Sequence, residues 1–153
     1  MWHRSVLAAL RQCGKLEEYV DYFPNERWST PTFYPVSEFM LRLAVAGAVI
    51  ASPSKIHEGM FQAFRLNSTT FAQSVLGRAL IRILARDPVR LTEQAMLARR
   101  HSTSYGEWKI LSFSPNHVET VYRSEYVWIE SAIAGAAAGT FETNRLNASV
   151  KTQ

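Results

Sequence analysis

The chain changes its hydrophobic period near residue 102, and that switch constrains the fold more than any other feature. Before it, apolar residues recur at helical spacing; after it, Tyr105–Phe113 and His117–Arg123 alternate as two strands of a hairpin do. Ser131–Gly139 then returns to a helical pattern. Helical runs followed by a short alternating pair predict an α+β fold, an N-terminal helical layer packed on a small antiparallel sheet, with a helix crossing near the C-terminus.

The 153 residues suit one domain, with a core over about 5–146 and a polar C-terminal tail. A hydrophobic content of 47% argues against disorder. A single cysteine, Cys13, excludes an internal disulfide framework and a multi-cysteine zinc site, and a reducing cytoplasm is the expected location. The start, Met1-Trp2-His3-Arg4, lacks the pattern of a secretory signal. The longest apolar stretch, Phe39–Ala51, is broken by Arg42 and falls short of the roughly 20 residues a spanning helix needs, so it reads as a core helix and no transmembrane segment is expected.

Local signals place the elements. Val6–Gln12 reads as an amphipathic helix stopped by Gly14, and Leu16–Phe23 as a second short one. Trp28–Tyr34 is an aromatic link. Pro35 suits the first turn of the next helix. Ser54 suits the cap of a helix over Lys55–Phe64, and Asn67–Thr70 offers caps for another over Thr70–Ala85. Asp87-Pro88 is a cap followed by proline at the first helical position, opening a helix to about Arg99. Strict alternation puts Trp108, Ile110 and Ser112 on one face of the first strand and Lys109, Leu111 and Phe113 on the other, with Ser114-Pro115-Asn116 as the turn. Ser124 suits the cap of the last helix and Gly139 its stop. Gly135 and Gly139 are expected to let that helix lie close on the sheet, and Thr140–Val150 to return as a strand.

No motif announces a reaction. Arg78, Arg82 and Arg86 line one helical stripe, and the basic stretch runs on through Arg99, Arg100 and His101. Such a cluster suits phosphate or nucleic acid, but a solvated face is the commoner meaning. Without interleaved aromatic residues, nucleic acid is not the expected partner. His3, His57, His101 and His117 form no local ligand pair, so no metal is expected. Haem ligation needs a single histidine, so spacing leaves haem open, with His101 the first to test. No serine lies in a G-x-S-x-G turn, no glycine loop cradles phosphate, and Cys13 sits near a helix end that raises its pKa. No enzyme is expected.

Several segments together resemble a myxobacterial paralogous family of unknown function. They are Leu10-Arg11-Gln12-Cys13-Gly14, Tyr22-Phe23-Pro24 with Trp28, Tyr34-Pro35, Phe71–Leu80 with its central Leu76-Gly77-Arg78, Ser104-Tyr105-Gly106-Glu107, and Ala134–Gly139. The likeness runs from about Leu7 to Phe141. That family is similar in layout to the 4-vinyl-reductase, Bet3-like and haem-NO-binding group. The resemblance implies a small-molecule-sensing or protein-interaction module and transfers no catalytic residue. The chain departs from it in lacking a glycine near Ile129–Glu130, and it lacks the Tyr-x-Ser-x-Arg signature of haem-NO-binding proteins, which counts against haem.

The expected function is therefore non-enzymatic. An apolar small molecule would bind near Arg78, His101, Tyr105 and Trp108, or a protein partner would dock. The alternatives are a structural or homodimerising subunit with an interface at Trp28, Phe33 and Tyr34, and phosphate or nucleic-acid binding through Arg78–Arg100.

Overall fold

The computed structural model describes residues 2–24, 35–73, 87–114 and 117–152. It has six α-helices and one hairpin among them: α1 (Trp2–Gln12), α2 (Leu16–Asp21), α3 (Val36–Ile50), α4 (Ile56–Gln73), α5 (Pro88–Ser102), β1 (Glu107–Ser114), β2 (His117–Arg123) and α6 (Ala134–Thr143). The α+β class holds. The period switch falls where expected: α5 ends at Ser102 and β1 begins at Glu107.

Helix α4 is the hub, touched by α1, α3 and α6. Val6, Leu10, Tyr19, Leu43, Met60, Phe64, Val127 and Ala132 form the core around it. Glycines set how closely the helices approach. A Cβ on Gly59 would lie 2.0 Å from the Gly47 carbonyl oxygen, so α3 and α4 meet backbone to backbone. Gly135 and Gly139 do the same for α6, opposite the carbonyls of Phe61 and Arg65, each 2.3 Å from a Cβ built on them. These two glycines thus seat α6 on α4 rather than on the sheet. At the outer edge of the same contact Arg65 grips Glu142 through Nε and Nη2 at 2.7 and 3.0 Å, and the guanidinium holds the Glu142 carboxyl below its usual range.

Other boundaries moved for identifiable reasons. The Asn67-Ser68-Thr69 run lies inside α4 instead of starting a helix. Ser68 donates to the Ala136 carbonyl of α6 at 2.9 Å, and Thr69 and Thr70 donate back to the Leu66 carbonyl, so the hydroxyls are used without breaking the helix. The remainder of the expected Thr70–Ala85 helix, from Ser74 on, lies outside the described residues. Gly139 does not stop α6. The stop is at Arg145, left-handed at φ 57°, where Leu146 N–H reaches the Phe141 carbonyl and Arg145 N–H the Glu142 carbonyl. Residues 146–152 form no strand. Ser124 caps nothing; five residues on, Ile129–Ile133 form a π-helical turn leading into α6. Gly14, at φ 66°, closes α1 with the same double hydrogen-bond pattern as Arg145.

Arg42, the charge inside the apolar stretch, is buried. Its guanidinium stacks 4.5 Å from the Phe23 ring beside the Tyr19 phenol, joining α2 to α3. Burial pushes the Tyr19 hydroxyl up, partly offset by Arg42. No single helix among the described residues is long and apolar enough to cross a membrane.

Asp87 caps α5 as its sequence predicts, its Oδ1 accepting from the Val89 and Arg90 N–H groups at 3.0 and 3.1 Å. Asp87→Ala is expected to cost about 1 kcal/mol in urea unfolding. Asp87→Asn keeps an acceptor and should lose less than half of that.

Candidate functional site

The seam between α5 and the hairpin is built on one buried ion pair. Arg99, in the last turn of α5, and Glu125, two residues past β2, have side chains 6% and 1% exposed. Arg99 Nη2 donates to both Glu125 oxygens at 2.9 and 2.8 Å. The carboxylate also accepts from the Trp108 indole N–H of β1 at 2.8 Å and from the backbone N–H groups of Tyr126 and Val127 at 3.1 and 3.3 Å. One carboxylate therefore ties helix, strand and the segment entering the bundle, where Val127 joins the core. The turn at Ser124, left-handed at φ 50°, folds Glu125 back under the seam.

Aromatic rings enclose the pair. The guanidinium lies 4.5 Å from the Tyr105 ring centre and 5.5 Å from that of Trp108. Tyr105 meets Tyr126 edge to face at 5.0 Å, and Trp108 meets Tyr122 at 4.8 Å. Gly106, at φ 79°, leaves only 3.0 Å between a built Cβ and Glu125 Oε2, so this turn needs glycine on both counts. Burial raises the Tyr105 hydroxyl pKa, and the Arg99 charge opposes it.

Above the pair is a cleft of about 340 Å³ between the end of α5 and the start of β1. Met96, Arg100, Ser104, Tyr105 and Trp108 line it, with Arg99. Two of the residues expected near a ligand, Tyr105 and Trp108, are brought together here. His101 is exposed on α5 and does not line the cleft. Arg78 lies outside the described residues, as do Arg82, Arg86 and the aromatic link Trp28, Phe33 and Tyr34. Arg99 stands out from the basic stretch as buried and paired rather than solvated. Glu125 carries no local sequence signal: only its burial and the convergence of four partners single it out.

The hairpin itself departs from strict alternation. Ile110 pairs with Thr120 and Ser112 with Glu119, leaving Leu111 as a bulge. Phe113 then pairs with Val118 and joins the side of Trp108 and Ile110, while Ser112 Oγ donates to Glu119 at 2.8 Å. Leu111 and Phe113 are 59% and 67% exposed.

A second polar group gathers at the π-helical turn. His57 Nδ1 lies 3.3 Å from Ser131 Oγ and 3.6 Å from Glu130 Oε1. Both partners address the same ring nitrogen and Ser131 is buried, so no proton relay to an accessible nucleophile results. Cys13 is part-buried, and burial raises its thiol pKa. Among the described residues no three metal-ligating side chains converge.

The chain belongs to the family described as "Protein of unknown function (DUF2378)", which it matches over residues 5–152. No curated protein and no solved structure matches it.

Proposed function

We propose that this DUF2378 chain is a non-catalytic protein-interaction module of the cytoplasm, with the β1–β2 hairpin as its contact element. The observation that carries this reading is the exposure of Leu111 and Phe113 on a hairpin whose base is rigidly anchored by Glu125. A bare two-stranded hairpin is marginal in water. Here its base is held by Arg99 and Trp108, while two large apolar side chains further out, Leu111 and Phe113, stay in solvent. Anchored base and apolar outer part suit presentation to another protein.

The test is photo-crosslinking in cells. Phe113→p-benzoylphenylalanine and Leu111→p-benzoylphenylalanine should each yield a discrete protein adduct, whereas the same probe at Glu93, exposed on α5, should not. Absence of adducts at both hairpin positions would overturn the reading.

A second reading rests on the 340 Å³ cleft, whose size and aromatic wall suit a small molecule. Native mass spectrometry of protein from its own host would show retained mass, lost in Trp108→Ala.

A further inference from the structure

The two edges of the hairpin differ, and the difference points to a particular partner. Strand β1 carries the devices that discourage further pairing: the Leu111 bulge, and Lys109 in its middle. Strand β2, His117-Val118-Glu119-Thr120-Val121-Tyr122-Arg123, has no bulge, proline or lysine, and among the described residues no strand lies beyond it. Its outer backbone groups form a regular edge suited to strand addition.

The β2 sequence is complementary to itself. Two copies laid antiparallel about a two-fold axis at Val121 bring Glu119 of each opposite Arg123 of the other, Thr120 opposite Tyr122, and Val121 opposite Val121. Glu119 and Arg123 are both exposed and share the same face of the strand as Val121. Opposite charges directly across a pair stabilise it, and the symmetry supplies the pairing twice. Moving the axis to Thr120 sets Glu119 against Val121 and His117 against Arg123, losing both ion pairs. Resting on the hairpin's role as contact element, we infer that the partner is a second copy of this chain. The two add β2 to β2 in a four-stranded antiparallel sheet whose register Glu119 and Arg123 fix.

Sedimentation equilibrium of the full chain over a wide concentration range reads this directly. The native chain should show a monomer–dimer equilibrium. Glu119→Arg sets four like charges at the junction and should raise the dimer dissociation constant by on the order of tenfold or more. Arg123→Glu should do the same, and the double exchange Glu119→Arg with Arg123→Glu should restore the native value. Far-ultraviolet circular dichroism of each variant checks that the fold is kept. A monomer at every concentration, or a dimer indifferent to the exchanges, would overturn the inference. The crosslinks from Phe113 decide the interaction reading separately, because an adduct of any other mass identifies a different protein.

Discussion

Glu125→Ala is expected to destabilise the protein by about 3–5 kcal/mol, the cost typical of removing one partner from a buried pair. The size follows from what the carboxylate leaves behind. The Arg99 side chain, 6% exposed, would keep its charge without the counter-charge. The Trp108 indole N–H and the Tyr126 and Val127 N–H groups would lose their acceptor in the same step. Urea unfolding followed by tryptophan fluorescence measures the loss. The double variant Arg99→Met with Glu125→Leu removes both charges together, leaving only the neutral donors unmatched, and should cost less than Glu125→Ala alone. If Glu125→Ala lay within 1 kcal/mol of the native protein, the seam would not be held by this pair. Because Glu125 joins α5, β1 and the chain entering the bundle, the same variant should raise hydrogen exchange in Glu107–Arg123 more than in α4.

What was legible in the sequence and what was not separates by range. The period switch, the Asp87-Pro88 start of α5, the Gly14 stop and the strand limits His117–Arg123 all depend on residues within a few positions of one another, and they stand as read. The bulge at Leu111 has no such mark, since neither glycine nor proline signals it. An alternating pattern read straight through therefore assigns Phe113 to the wrong face. Ser68 and Thr69 look like caps by type. Carbonyls of α4 itself accept from both, Phe64 from Ser68 and Leu66 from Thr69, and α6 adds the shorter bond from Ser68 to Ala136, so the helix runs through them. The Arg99–Glu125 pair spans 26 positions, and the same arginine among its neighbours Arg90 and Arg100 looks like part of a solvated stripe. Tyr105 and Trp108 follow the period switch closely enough to be singled out from the sequence as lining a ligand. Their actual role, stacking on a guanidinium, depends on the distant Glu125 that holds it there.

The glycine contacts give the sharpest test of the bundle, because the sign of the effect separates packing from propensity. In an uncrowded helix, Gly→Ala stabilises by about 1 kcal/mol through backbone entropy and helix preference. Gly59→Ala should do the opposite. Its Cβ would sit 2.0 Å from the Gly47 carbonyl oxygen and 2.8 Å from Gly47 Cα, where the obstacle is backbone and cannot rotate away. Overpacking a rigid site costs typically 1–3 kcal/mol, and here α3 must shift as a body, so a loss of about 3 kcal/mol or more is expected. Gly135→Ala and Gly139→Ala meet the α4 backbone at 2.3 Å and should fall in the same range. The two lie four apart on α6, opposite Phe61 and Arg65 four apart on α4, so one outward shift of α6 relieves both. The double variant should then cost less than the sum of the two singles. Gly59→Ala with Gly47→Ala relieves nothing, since a Cβ on Gly47 runs into the Ile56 carbonyl at 2.6 Å as well. Thermal unfolding of these variants decides it: a raised melting temperature for Gly59→Ala would mean that α3 and α4 do not meet backbone to backbone. The Glu125 seam would then be attached to a looser bundle than the one described.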